Sequence, residues 1–221
     1  MNFNFDLVVT SFPLLLLGAG VTIKITAMSV ALGVLIGLFV GIARICRVKP
    51  LRFLAAVYVD FFRGTPLLVQ IFLFYFAVPV ITGQRIDPYV AAVGSCGINS
   101  GAYVAEIVRA GIQSIDAGQM EAGRSLGLNY FDTMRFIVIP QAIKAILPAL
   151  GNEFIILLKD TSLITVIGGK ELLHAAQGIM GRTYEAMFPL IGIACMYLVL
   201  VMIFTWLLGK LERRLRQSDR R

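Results

Sequence analysis

The sequence is poor in the residues on which most catalytic and metal chemistry depends. His174 is the only histidine among 221 residues, so a histidine-based metal site or catalytic triad lacks its parts. The three cysteines, Cys46, Cys96 and Cys195, are far apart and form no CxxC pair. They therefore support neither a zinc site nor a redox motif, and are expected as small hydrophobes within apolar runs. No GxxxxGK[ST] loop occurs, so ATP has no binding signature here. Internal repeats, low-complexity tracts and long linkers are not visible. The start of the chain, Met1 to Leu7, carries Asp6 and no basic residue, whereas a signal peptide opens with positive charge. The first apolar segment is therefore expected to be retained. The net charge of +7 is not organised as a basic stripe interleaved with aromatics, so nucleic acid is not an expected partner.

What is abundant is apolar surface. Hydrophobic residues make up 58% of the chain, more than a soluble core of this size requires. The excess needs a second apolar environment, and lipid supplies it. Five apolar segments stand out, at about residues 14–43, 64–81, 88–108, 136–158 and 188–208, the second following a semi-polar stretch at 50–63. Each approaches or reaches the roughly 17–25 residues of a transmembrane helix. The ten-residue alternation of a membrane barrel is absent, and only helices satisfy their own backbone groups in lipid. The expected fold is one all-α integral membrane domain of five spans. Arg44, Arg47, Lys49 and Arg52 follow the first span, Arg124 and Arg135 precede the fourth, and Lys210, Arg213, Arg214, Arg216, Arg220 and Arg221 follow the fifth. The positive-inside rule then puts the C-terminus in the cytoplasm and the N-terminus outside, with residues 159–187 forming an outer segment. Lys24, near the outer end of the first span, reads as a snorkelling side chain.

The loop at residues 111–135 reads GIQSIDAGQMEAGRSLGLNYFDTMR. Residues 117–126 can form a helix too short to span anything. Glu121 and Arg124 are spaced to pair on its surface, and Gly127 is placed to end it in a left-handed cap. Glu121-Ala122-Gly123, three residues, Gly127, nine residues, then Ile137-Val138-Ile139-Pro140 resembles the EAA loop of ABC importer permeases. Gly123 replaces the second alanine of that pattern and Ile139 its leucine. Other stretches resemble the polar amino-acid branch of these permeases: Arg63-Gly64-Thr65-Pro66-Leu67-Leu68-Val69-Gln70, Ile98-Asn99-Ser100-Gly101-Ala102-Tyr103 with Ala105-Glu106, Pro148-Ala149-Leu150-Gly151-Asn152-Glu153-Phe154, and Lys159-Asp160-Thr161-Ser162-Leu163. The resemblance implies a type I ABC importer permease whose short cytoplasmic coupling helix docks on a separate ATP-binding cassette subunit. Glu121, Ala122, Gly123, Ser125 and Gly127 would serve that contact, with Glu121 shaping the helix or touching the ATPase and Ala122 and Gly123 allowing close approach. ATP and magnesium would be bound by the partner, with no cofactor in this chain. An extracytoplasmic amino-acid-binding protein would dock on residues 164–185 and the 82–87 turn. A second permease copy or paralogue would complete the pathway within the lipid.

Polar groups inside spans are costly and usually face a bundle interior or a water-filled path. The candidates are Asn99, Ser100 and Tyr103 in the third span, Asn152 and Glu153 in the fourth, and Gln70 in the second, with Thr65 nearer the cytoplasm; the fifth offers little but Tyr197. Glu153 is expected to receive a positive group of the substrate, which favours a cationic amino acid such as arginine, lysine or histidine, or glutamine. Pro148 and Gly151 are expected to interrupt the fourth helix and free carbonyls toward the path. Arg63 is expected at the cytoplasmic interface, snorkelling or paired with Asp60 or Glu106. Lys159 and Asp160 suggest an outer gate, and Thr161 and Ser162 a cap for the helix beyond. Two other readings compete. An ion-gradient-driven secondary transporter would show repeats, and a non-transporting scaffold would not need Asn99 or Glu153 at mid-bilayer.

Overall fold

The computed structural model describes residues 5–217, and side chains from residue 10 to 215. The side chains of Asp6 and Arg216, and Arg220 and Arg221 altogether, lie outside the described residues. Every regular element among those described is helical: α1 (Phe5–Ile45), α2 (Lys49–Gly64), α3 (Leu67–Thr82), α4 (Pro88–Gln113), α5 (Ala117–Ser125), α6 (Tyr130–Thr133), a π turn (Met134–Val138), α7 (Ile139–Asp160), a 3₁₀ segment (Thr161–Ile167), α8 (Leu172–Thr183) and α9 (Met187–Gln217). Three stretches are long and apolar enough to cross a membrane, Thr10–Ile45, Tyr130–Ile167 and Met187–Leu215.

The second expected span is a broken one. Helix α3 has 16 residues, about 24 Å, short of a hydrocarbon core of roughly 30 Å. The semi-polar stretch before it is itself helix α2, which meets α3 at 108°. Pro66 causes the break: Thr65, forced out of the α region by the ring that follows, is extended at φ −118°, ψ 148°.

Helix α4, expected as the third span, is not among the stretches apolar enough to cross a membrane, and half of its residues are buried. Its 26 residues cover about 39 Å, ample for a span. Its buried face is built of small residues, including Ala91, Ala92, Gly97, Ser100, Gly101, Ala102 and Ala105, because neighbouring helices rather than lipid cover it. Helix α1 answers with Gly33, Gly37 and Gly41, spaced four apart. A Cβ on Gly33 would stand 2.8 Å from the Ser100 Cβ, and one on Gly41 would stand 2.9 Å from the Ala105 carbonyl oxygen. Such stripes let membrane helices approach until their backbones pack directly.

Helix α7 corrects an expectation. It runs unbroken through Pro148, and the absent side chain of Gly151 accommodates Leu208 of α9 instead of opening the helix. The irregularity lies at its foot, where the π turn precedes Pro140; the widened turn adapts the backbone where Pro140 has no N–H to donate. Beyond α7, the Thr161 hydroxyl donates back to the Leu158 carbonyl at 2.8 Å and caps nothing. The cap of α8 is Glu171. Of the cysteines only Cys96 is buried; Cys195 is exposed and Cys46 half-buried.

Filling the α1–α4 seam should destabilise the bundle. Gly37→Leu is expected to cost about 1–3 kcal/mol and lower the melting temperature in detergent, whereas Gly20→Ala, where a Cβ meets nothing within 4 Å, should not.

Candidate functional site

The short helix α5 is held at both ends. Asp116 caps its start, its carboxylate accepting from the Gly118 N–H at 2.7 Å. At its end Gly127 adopts φ +86°; its N–H donates to the Arg124 carbonyl at 3.0 Å and that of Leu128 to the Gly123 carbonyl at 3.2 Å. This is the paired bonding of a Schellman cap, which only a residue free to turn left-handed forms easily. The expected Glu121–Arg124 ion pair is not made among the described residues, and Glu121, Ala122, Arg124 and Ser125 are all exposed. Gly123 alone in that group is buried. A Cβ there would stand 2.6 Å from the Thr133 Cγ2 and 2.9 Å from the Ile137 Cδ1. The close approach expected of Gly123 is thus made within the chain, to the foot of α7. Gln141 on α7 adds a bond to Gln119 at 3.2 Å, and Asn129 and Asp132 bond reciprocally across the intervening turn at 2.6 and 2.9 Å. Exposed Leu126 (82%) and Phe131 (71%) add apolar surface beside α5. Sequence reasoning missed these two, although Leu126 directly precedes Gly127.

At mid-bundle the expected polar residues divide into two groups. Glu153 of α7 is buried and accepts from the Ser100 hydroxyl of α4 at 2.9 Å. Asn99 and Gln70 belong elsewhere. The Asn99 amide donates to the Gln70 side-chain oxygen at 2.8 Å and the Phe62 carbonyl at 3.2 Å. The Gln70 amide donates to the Phe62 carbonyl at 2.8 Å, the Thr65 carbonyl at 3.0 Å and the Thr65 hydroxyl at 2.8 Å. Together they clamp the α2–α3 elbow onto α4, because the broken helix leaves carbonyls that need donors. Tyr58 joins the clamp, its hydroxyl donating to the Ile98 carbonyl at 2.5 Å. Asn152 is exposed, one residue round the helix from Glu153. Tyr103 is exposed and carries Arg63 over its ring, 5.3 Å from the centroid.

The charges at the C-terminal end of α4 also differ from expectation. Arg44, not Arg63, reaches Glu106 at 3.5 Å and Asp60 at 3.9 Å, and Arg109 also pairs with Glu106. Between α7 and α9, Glu171 is fully buried. It accepts from the Leu173 and His174 N–H groups, both at 2.7 Å, and from the Tyr197 hydroxyl at 2.9 Å. Burial holds its carboxyl above the usual carboxylate range, and these donors draw it back. Thr22 of α1 accepts from the Leu172 N–H at 3.2 Å, so α1, α8 and α9 meet at this point.

The bundle thus holds a buried carboxyl group between α4 and α7, with a capped helix fixed against the foot of α7. The chain belongs to the family described as the binding-protein-dependent transport system inner membrane component, whose model matches residues 33–217. It is 39% identical over 219 residues to the arginine transport system permease protein of Bacillus subtilis (strain 168), covering 99% of this chain and 100% of that one. It is 40% identical over 217 residues to the glutamine transport system permease protein of Escherichia coli (strain K12), covering 98% and 99%. A solved amino acid ABC transporter with histidines superposes with a TM-score of 0.92 at 45% identity, over 97% of this chain and 100% of that one. The MetNI methionine ABC transporter, solved in inward-facing conformations, shares the fold with a TM-score of 0.78 at 21% identity, over 92% and 97%. The chain is thus a permease of an ABC polar amino-acid importer.

The elbow clamp has a direct check. Asn99→Ala strips donors from Gln70 and the Phe62 carbonyl, and is expected to destabilise the purified protein by about 1–3 kcal/mol. The measurement is thermal unfolding in detergent.

Proposed function

We propose that this chain is the membrane-spanning subunit of an ATP-driven importer that moves a polar amino acid, either a cationic one or glutamine, across the cytoplasmic membrane by alternating access. The observation that carries this reading is the attachment of α5 through Gly123 to the foot of α7, the helix that bears Glu153. A load on the exposed face of α5 is delivered to the span holding the buried carboxylate.

The load comes from outside the chain, which has no phosphate-binding loop. An ATP-binding cassette subunit, with ATP and magnesium, grips Glu121, Ala122 and Ser125 with Leu126 and Phe131 around them. Closure of two such subunits shifts the bundle between inward- and outward-open states, a two-state equilibrium biased by nucleotide. The basic residues at the ends of α1 and α9 keep those ends, and α5, in the cytoplasm, with the N-terminus outside. A second permease copy or paralogue lines the rest of the path, and a binding protein delivers substrate from the outer side.

At the substrate end, a carboxylate has acceptor positions for several donors, and Ser100 fills one at Glu153. The remainder suit an ammonium, a guanidinium or an amide. Relatives named for arginine and glutamine transport agree with that chemistry.

Two outcomes follow. Ala122→Arg, on the exposed face of α5, should abolish co-purification of the ATPase while leaving the monodisperse permease intact; retained ATPase would contradict the docking face. Glu153→Gln should reduce uptake of arginine or glutamine into proteoliposomes at least about tenfold, with ATPase assembly unchanged.

A further inference from the structure

The basic end of α9 differs from that of α1 in having no acid to satisfy it. Arg44, at the end of α1, is drawn to Glu106 and Asp60. Lys210, Arg213 and Arg214 of α9 make no ion pair among the described residues. Glu212 is the one acidic residue of α9, and at 3.6 residues per turn it falls on the other side of the helix from Lys210 and Arg214.

These cations continue an apolar face. Val199, Met202, Ile203 and Trp206 recur at intervals of three or four along α9, and each is about half exposed. Lys210 follows Trp206 by four residues, and Arg213 and Arg214 follow it by seven and eight. The stripe therefore turns from apolar to cationic without leaving one side of the helix. The Lys210 ammonium lies over the Trp206 ring, 3.6 Å from its centroid. Cation–π attraction holds it there, bent back toward the apolar part of α9. The Cα–Cβ bonds of Arg213 and Arg214 tilt in the same direction. Positive charge is thus gathered where the apolar face ends. From Val199 to Lys210 the helix covers about 16 Å, close to the roughly 15 Å of hydrocarbon in one leaflet. Toward the start of α9 the face joins an apolar groove of about 670 Å³ against α1, where Leu15 and Leu16 stand opposite Val199 and Ile203.

We propose that this face of α9 is a site for one anionic phospholipid. Lys210, Arg213 and Arg214 hold the headgroup phosphate, the Trp206 indole packs at the headgroup boundary where such rings are favoured, and an acyl chain lies along Ile203 and Val199 into the groove. Three cations without a counter-charge select a headgroup of net negative charge; a zwitterionic headgroup brings its own ammonium against Lys210. The inference needs only that α9 crosses the bilayer, and it stands or falls apart from the transport reading.

Trp206 is the single tryptophan, so its fluorescence reports this face in the full chain. The full-length protein is reconstituted into vesicles of equimolar phosphatidylethanolamine and phosphatidylglycerol, with dibrominated acyl chains on one lipid or on the other. Quenching is read against the same vesicles without bromine. Brominated phosphatidylglycerol should quench Trp206 the more strongly, corresponding to a preference of about tenfold. Lys210→Gln, Arg213→Gln and Arg214→Gln together should bring the two lipids to equal quenching. Lys49→Gln with Arg52→Gln, which removes cations at the start of α2, should leave the preference intact. Equal quenching in the wild type, a preference that survives the triple variant, or one that is lost in the α2 variant overturns the site. Quenching by neither lipid overturns it too, because a protein surface, such as a second permease copy, would then cover Trp206.

Discussion

The missing side chain of Gly123 is the constraint on which the transport account turns. A Cβ at that position would stand 2.6 Å from Thr133 and 2.9 Å from Ile137, far inside van der Waals contact. Helix α5 therefore lies on the foot of α7 at a separation into which a Cβ would fit only if Thr133 and the Ile137 side chain shifted. The Schellman cap at Gly127 and the Gln119–Gln141 bond fix the angle of that contact. Because packed interfaces shift between discrete arrangements and do not deform smoothly, the proposed mechanism has a displacement of α5 move α7 as a body. The same helix carries Glu153, so on the proposed mechanism the handle and the buried carboxyl group would move together.

Polar groups in the bundle fall into those that are saturated and those that are not. Asn99 and Gln70 spend their amides on the carbonyls that the α2–α3 break releases, and so stabilise an elbow. Glu171 is satisfied by two N–H groups and a phenol, and ties α8 to α9. Glu153 has a single neutral donor, and Arg63 has an aromatic face.

Much of the coupling loop was legible in the sequence, because its determinants are local. The spacing from Glu121 to Pro140 and the glycine at 127 predict a short helix at 117–126, and the helix observed is Ala117–Ser125. The polar positions were legible as a set but not in their division. Asn99 differs from Ser100 only through the Phe62 carbonyl, 37 residues away, and no local pattern records that pairing. Helix α4 was readable as one long helix, although its small residues lower its apolarity; the glycines of α1 at 33, 37 and 41 signal its close contact.

The most direct measurement is a pair of spin-label distances within one permease subunit of the assembled complex. Labels would be placed at Ser125→Cys on α5 and Ile143→Cys on α7, after replacement of the three native cysteines. The account predicts one narrow distance that is the same without nucleotide and with ATP trapped, while a label pair joining α5 to α9 changes. A change in the α5–α7 distance between those two states would contradict it, because the handle would then move without its span.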